Sequence, residues 1–159
     1  HWLWSRQSTK EHTIAVFDFI MNEHYEYKRI PLVFLQDLNG NVLFDSTDNV
    51  ECEIKEEMLQ EVSGKKYPKV THYIFRKDGK TIDYTLRVKE QLDGRYIYKQ
   101  TPFFMRGVFK GTKPKYGRFL AEGTINYMDG DNSFTETGDL IYEFAYVGEE
   151  YRKFMEKSM

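Results

Sequence analysis

The chain has 159 residues and a mass of 19.0 kDa, which fits one domain that buries roughly 68–70% of its unfolded surface. Hydrophobic residues make up 40% of the chain and charged residues 30%, which excludes a disordered chain. The 23 basic and 25 acidic residues are spread along the chain, so a net charge of −2 predicts neither nucleic acid nor an anionic membrane as the main partner. No apolar run reaches the roughly 18 residues that a transmembrane span requires.

The first segment of the chain is aromatic and contains one isolated acid. Trp2 and Trp4 are one residue apart, so in an extended strand both side chains point to the same side. Asp18 interrupts an apolar run and shares a strand face with Val16 and Ile20. Because the chain does not begin with methionine, we expect it to start inside a longer protein.

Alternation of apolar and polar residues with a period of two dominates the rest of the chain and predicts antiparallel strands. The clearest strand is 82–89, and the preceding Asp78-Gly79 turn predicts a hairpin over 70–89. Further turns are predicted at Asn39-Gly40, at Asp93-Gly94 and over 129–132. About nine or ten short strands separated by turns are typical of a β-sandwich or β-barrel.

Two segments depart from this alternation. Residues 55–62 are predicted as a short helix or an irregular connection. Residues 148–157 carry Tyr151, Phe154 and Met155 at helical spacing, which predicts a C-terminal helix packed on the barrel. The predicted fold is therefore all-β: a single antiparallel lipocalin-like barrel of about 8–10 strands over residues 1–159, with a short C-terminal helix.

Some predicted strands are apolar on both faces, including 14–19 and Phe103-Phe104-Met105. Two explanations stay open: an interior that holds one small ligand, or a neighbouring domain or subunit that covers the outside. Isolated polar residues and the two tryptophans are the candidates for ligand contacts. Asp18 is the candidate catalytic residue, and the candidate ligand-binding residues are Trp2, Trp4, Arg6, His72, Arg106, Glu122 and Glu143. For each polar candidate the alternative is a buried ion pair or a charge at a strand edge.

Cysteine and histidine usage predicts neither a disulfide nor a metal site. Cys52 is the single cysteine, and it lies on the apolar side of an alternating strand, as a small buried hydrophobe does. His12, His24 and His72 show no ligand spacing, and no cofactor is predicted.

Four local matches, in the right order, resemble the carotenoid 1,2-hydratase-like family, which includes the AttH-type lipocalin-like proteins. Residues 2–6 (WLWSR) resemble the family's WxW-x-R strand, and residues 63–68 (SGKKYP) resemble its S-x-TG-x-x-YP segment with one residue fewer. Residues 121–123 (AEG) resemble its W-E-G strand, and residues 138–143 (GDLIYE) its closing G-x-G-x-x-E. The resemblance covers nearly the whole chain and is to the C-terminal half of the family's proteins.

The resemblance implies two tandem lipocalin-like barrels, with this chain as the second and an N-terminal barrel as its partner. It also implies a D-H-x-W-G segment upstream of His1, whose histidine and tryptophan act in proton delivery to a lycopene- or neurosporene-like double bond. Asp18 stands where the family's aspartate falls. Val16 and Ala121 replace the family's tyrosine and tryptophan, which favours binding over hydration.

Three functions follow from these observations. The first is a module that binds an apolar small molecule, such as an isoprenoid, carotenoid or acyl chain, in or beside the barrel. The second is a hydratase, isomerase or cyclase acting on an isoprenoid or polyene, with Asp18 as general acid unless Asp18 only pairs with Arg6 across the first hairpin. The third is a structural domain whose Trp2 and Trp4 are buried against the N-terminal barrel. A soluble location, cytoplasmic or periplasmic, is expected.

Overall fold

The structure is a computed structural model, and the residues that it describes are 1–48, 50–60, 65–96, 99, 101–109 and 115–146. The strands are β1 Trp2–Ser8, β2 His12–Ile20, β3 Arg29–Asp37, β4 Val42–Ser46, β5 Val50–Gln60, β6 Lys65–Lys77, β7 Lys80–Tyr96, β8 Lys115–Asp129 and β9 Asn132–Tyr146. Two short 3-10 helices cover Glu23–Tyr25 and Phe103–Phe109. The predicted C-terminal helix over 148–157 lies outside the described residues. No helix in the described ranges is long and apolar enough to cross a membrane.

All the described strands belong to one antiparallel sheet with the order β4-β3-β2-β1-β9-β8-β7-β6-β5. The first and last strands pair in the middle of the sheet, and the short strand β4 and the long strand β5 are its edges. The sheet curls until the inner faces of β2 and β6 meet, because the hydroxyl of Tyr73 lies 3.0 Å from a carboxylate oxygen of Asp18. The prediction of an all-β, antiparallel, barrel-like fold is therefore confirmed.

The inner face of the curled sheet is packed with aromatic and aliphatic side chains. Where the strands are regular, every second residue points inward, as the period of two predicts. The largest fully buried side chains are Tyr67, Tyr73, Tyr84, Tyr142, Phe75 and Phe119, joined by Ile14, Leu35, Ile82, Leu86 and Ile125. Burial of apolar area at about 25 cal/mol per Å² is the main force that holds such a core together. Cys52 packs against this core, as its place in the alternation predicted.

The two edges of the sheet do not pair with each other, and side chains close the barrel between them. Near the turn between β6 and β7, Lys80 donates from Nζ to the carbonyl of Leu43 at 3.1 Å, and the Tyr127 hydroxyl donates to the same oxygen at 3.3 Å. Lys77 donates to the carbonyl of Asp45 at 3.0 Å. These bonds tie β4 to the far side of the sheet without a strand-to-strand ladder.

Turn residues predicted three of the strand connections correctly. The Asn39-Gly40 turn joins β3 to β4, and the turn at 129–132 joins β8 to β9. In the hairpin of β6 and β7, Asp78 has φ 52° and Gly79 has φ 78°, as a type I′ turn requires at both central positions. The hairpin predicted over 70–89 is therefore confirmed.

Two predicted interruptions of the strands, a turn at 93–94 and a helix or irregular connection over 55–62, are wrong. In both places pairing with a long neighbouring strand outweighs the local preference of the sequence for a turn or a helix. Asp93-Gly94 makes no turn: β7 runs through it, and these residues pair with Arg118 and Gly117 of β8. The register of β7 against β8 shifts twice, after Val88 and after Gln91, and these bulges allow the pairing to continue past residues that do not alternate. Residues 55–60 are part of strand β5 rather than a helix, since β6 offers a pairing partner along its whole length.

The edge strand β5 pairs with β6 alone within the described part of the chain. Its register shifts twice, between Ile54 and Glu56 and between Glu56 and Glu57. Charged residues follow one another along it at positions 51, 53, 55, 56 and 57. β5 is thus a long but irregular and highly charged edge.

Candidate functional site

Asp18 belongs to the most deeply buried ion pair among the described residues. It lies on the inner face of β2, as predicted, and two nitrogens of Arg29 on β3 donate to its two carboxylate oxygens at 2.8 and 2.5 Å. The hydroxyl of Tyr73 on β6 donates to the same carboxylate at 3.0 Å. The side chains of Arg29 and Asp18 are only 7% and 3% exposed, so this pair is almost fully removed from water.

The pairing of Asp18 with Arg6 that the sequence suggested is wrong. In the first hairpin Leu3 stands opposite Asp18, and Arg6 stands opposite Ala15. Arg6 lies an odd number of residues from Leu3, so its side chain is on the other face of β1 and is exposed. Arg29 is the partner of Asp18 instead, because β3 pairs with β2 and carries Arg29 on the inner face.

Four residues form what we call the seam cluster: Asp18, Arg29, Tyr73 and Cys52. Burial, which alone lowers the pKa of Arg29, is outweighed by the hydrogen bond and charge of Asp18, so the pKa of Arg29 is raised. Burial and the negative charge of Asp18 both raise the pKa of Tyr73. The cluster draws its members from β2, β3, β6 and β5, and therefore joins the two sides of the curled sheet.

The geometry of the seam cluster bears on chemistry at Asp18. A bidentate contact with a guanidinium is the arrangement of an ionised carboxylate, and charge-assisted bonds of this kind are roughly twice as strong as neutral ones. Arg29 and Tyr73 together occupy both oxygens of Asp18. This arrangement suits a structural ion pair better than a proton donor.

Two spaces flank the seam cluster and differ greatly in size. A cavity of about 20 Å³ lies beside Asp18 and Tyr73, with Leu3, Ile54 and Phe144 among its lining residues. That volume holds about one water molecule. This cavity therefore has no room for an isoprenoid.

The larger space is an open groove along β5, on the Arg29 and Cys52 side of the cluster, which we call the seam groove. Its volume is about 710 Å³, within the range of about 300–1,000 Å³ typical of small-molecule sites. The lining residues are Arg29, Val50, Glu51, Cys52, Glu53, His72 and Ile74. It combines apolar side chains with two acids and with His72, whose Nε2 lies 3.0 Å from Asp83.

Trp2 and Trp4 point to the same side of β1, as predicted, and that side is the outer one. The ring of Trp2 lies 6.1 Å from that of Tyr116, and the ring of Trp4 lies 6.0 Å from that of Phe17. Cross-strand pairing across β1, β2 and β3 gives the rows Trp2–Phe19–Ile30 and Trp4–Phe17–Leu32, which we call the outer aromatic face.

The structure brings only some of the predicted residues together. Glu143 stands opposite Trp4 on the outer side and accepts from Arg118 at 2.6 Å. Burial first, and then the charge and hydrogen bond of Glu143, raise the pKa of neighbouring Tyr116. Trp2, Trp4 and Glu143 are thus neighbours.

The remaining candidates lie apart from that group and from one another. Glu122 pairs with Lys89 at 2.8 Å on the outer side of β8, and His72 lies on the outer side of β6. Arg106 is not in a strand, because Phe103-Phe104-Met105 begins a 3-10 helix, and it donates to the carbonyl of Thr101 at 2.9 Å. Asp18 alone among the candidates points into the core.

Sequence reasoning missed Arg29, Tyr73 and the seam groove. A signal for Arg29 was present, since Val33 and Leu35 share its strand face and are buried. The groove left no signal, because it arises where the two edges of the sheet fail to meet. Within the described part of the chain, no three His, Cys, Asp or Glu side chains lie close enough to hold a metal ion.

The state of Cys52 gives a first testable prediction. Burial raises the pKa of the Cys52 thiol to about 11, so at pH 8 only about 0.1% is thiolate, against roughly 10–25% for an ordinary cysteine. We expect iodoacetamide to label the native protein at pH 8 roughly 100-fold more slowly than the urea-unfolded chain. Similar labelling rates for the two states would contradict a buried thiol.

Comparison with known proteins gives the fold and no family. No family model matches the chain, and no curated protein matches it in sequence. A crystal structure of CghA with Sch210972 matches with a TM-score of 0.60 and 12% identity, and one of CghA matches with a TM-score of 0.61 and 12% identity. Each match covers 94% of this chain and 41% of CghA, so the chain spans less than half the length of that protein.

Proposed function

We propose that this domain binds an apolar small molecule of isoprenoid, carotenoid or acyl type beside the barrel, in the seam groove. The observation that carries the proposal is the contrast between an interior cavity of about 20 Å³ and a groove of about 710 Å³. A crystal structure of CghA, which has a similar fold, contains Sch210972, and this supports a ligand-binding role.

The charges of the groove favour a neutral ligand over an anionic one. Val50 and Ile74 supply apolar contact, while Glu51 and Glu53 stand on its wall. Arg29 cannot compensate a ligand carboxylate fully, because its guanidinium already serves Asp18. A neutral isoprenoid therefore fits better than a fatty-acid anion.

A titration with two fluorescent probes tests this proposal. We expect retinol, a neutral isoprenoid, to bind more tightly than cis-parinaric acid, an anionic acyl chain. Ile74→Arg places a charge in the groove and should weaken retinol binding at least about tenfold. The matched control is Leu92→Arg, at an exposed position outside the groove. Equal binding by the wild type and by both variants would sink the proposal.

We also propose, as a second candidate, that the chain is one of two lipocalin-like barrels and packs on an N-terminal barrel through the outer aromatic face. Support comes from Trp2, Trp4 and Phe17, half-buried on the outer side rather than in the core, and from the motif resemblance to carotenoid 1,2-hydratase-like proteins. Phe19 is 39% exposed and Leu32 38%, and an apolar patch of this kind marks an interaction site.

Tryptophan emission tests the second candidate. In a longer polypeptide whose only tryptophans are Trp2 and Trp4, we expect emission at shorter wavelength than in the chain alone. Emission at the same wavelength in both would show that no domain covers this face.

An enzymatic role for Asp18 gains no support from its contacts with Arg29 and Tyr73.

A further inference from the structure

Two polar side chains stand side by side on the wall of the seam groove. Glu53 of β5 is directly opposite His72 of β6 in the register of the two strands, so both side chains leave the sheet on the same face. Directly opposed residues have Cβ atoms about 4.5–5.5 Å apart, which is close enough for both side chains to contact one ligand group. The next opposed pair on this face, Glu51 and Ile74, continues the wall. A polar point therefore adjoins the apolar part of the groove.

The hydrogen bond of His72 decides what its imidazole offers to a ligand. Nε2 of His72 lies 3.0 Å from a carboxylate oxygen of Asp83, and the His72 side chain is 16% exposed. Because an ionised carboxylate only accepts hydrogen bonds, we assign the proton of the neutral imidazole to Nε2, and Nδ1 is then an acceptor. In this form His72 has no N–H group left for a ligand.

The strongest side-chain donor of the groove is already used. Arg29 donates from Nε and Nη2 to Asp18, and its side chain is only 7% exposed. Cys52 offers a thiol, which is a weak donor. The outer edge of β5, which pairs with β6 alone within the described part of the chain, presents both N–H and C=O groups, so the backbone does not discriminate between kinds of ligand. The described side chains of the groove therefore favour a ligand that donates a hydrogen bond.

The acids of the groove have cations beside them, which favours a hydroxyl over an ammonium group. Arg76 donates to Glu51, and Nζ of Lys55 lies 3.8 Å from a carboxylate oxygen of Glu53. A carboxylate has about four acceptor sites, so each acid can accept a further hydrogen bond although a cation already stands near its charge. The side chain of Glu53 is 67% exposed, which leaves its oxygens accessible.

We propose that the ligand of the seam groove is an isoprenoid alcohol, whose hydroxyl donates to the carboxylate of Glu53 while its chain lies against Val50 and Ile74. This inference rests on the proposed function and names the head group that the groove selects. A hydroxyl that donates to a carboxylate forms a charge-assisted bond. An ether or ester head group has acceptors only, so beside Glu53 and Nδ1 of His72 it loses its hydrogen bonds to water without replacement.

Titration with two neutral probes that share one polyene tests the proposal. Retinyl methyl ether differs from retinol only by a methyl group in place of the hydroxyl hydrogen. We expect retinol to bind at least about fivefold more tightly than the ether, as followed by the fluorescence of the polyene. Glu53→Gln keeps the shape of the side chain but adds an N–H donor, so it should weaken retinol binding, strengthen ether binding and reduce the preference to less than about twofold.

The matched control is Glu11→Gln, which removes an exposed carboxylate from the turn between β1 and β2, outside the groove, and should keep the wild-type preference. If both probes bind the wild type equally and Ile74→Arg weakens both, the groove is the ligand site but the alcohol is not selected, and this inference alone is overturned. A preference for retinol that survives Glu53→Gln also overturns it, because the hydroxyl is then held elsewhere. If neither probe binds, or Ile74→Arg changes neither affinity, the proposed function itself fails.

Discussion

Replacing Asp18 with alanine should lower the free energy of unfolding by about 3–5 kcal/mol. The change leaves the guanidinium of Arg29 buried without a counter-charge, and breaking a buried ion pair on one side has a cost of this size. Tyr73 loses the acceptor of its hydroxyl at the same time. Urea denaturation followed by circular dichroism measures the effect.

The matched control removes both charges. In Asp18→Leu with Arg29→Met, no charge is left buried, so much of the lost stability should return. If Asp18→Ala and the double variant are equally unstable, the loss of stability comes from altered packing and not from the unpaired charge of Arg29. If Asp18→Ala costs less than about 1 kcal/mol, Arg29 reaches solvent in the variant and the seam cluster is not a closed unit.

Gly123→Ala should have the next largest effect, a loss of about 2–3 kcal/mol in the free energy of unfolding. A Cβ at Gly123 would overlap Oε1 of Gln7 and lie 2.8 Å from Cδ2 of Leu140. Gln7 cannot simply turn away, because it is fully buried and its Nε2 donates to the carbonyl of Gly123 at 2.8 Å and to that of Gly138 at 3.2 Å. Thermal and urea unfolding both measure the loss.

Gly138 provides the control, since it faces Gly123 across β8 and β9. A Cβ there would meet Nε2 of Gln7 at 3.5 Å, an ordinary van der Waals contact. Gly138→Ala should therefore change stability by no more than about 0.5 kcal/mol, with any gain arising from the stiffer unfolded chain. A large loss in both variants would mean that strand geometry, not the overlap with Gln7, excludes side chains at this pair.

The local pattern of the sequence predicted faces and turns, because both depend on near neighbours in the chain. The face of Asp18 followed from alternation, and the β6–β7 hairpin followed from Asp78-Gly79. Asp93-Gly94 has the same turn chemistry, but β8 continues beside it and its pairing outweighs the local preference. Local chemistry decides a turn only where the partner strand ends as well.

The candidate site could be predicted only in part, because its partners are distant in sequence. Alternation placed Asp18 on the face of Val16 and Ile20, but its contact with Arg29 depends on the register of β2 against β3. For Trp2 and Trp4 the pattern predicted a shared side, yet both faces of β1 and β2 carry apolar residues, so the inner side could not be told from the outer one.

The irregular edge strand β5 has a consequence for how the protein behaves at high concentration. An exposed strand edge of this length is a template on which another molecule can add a strand, and repeated addition leads to fibrils. The two register shifts near Glu56 bend this edge, and the charged side chains that follow one another along it, Glu51, Glu53 and Glu57 among them, oppose the addition of a second copy. Glu51 and Glu53, which line the seam groove, are therefore among the residues that protect the domain from self-assembly into amyloid.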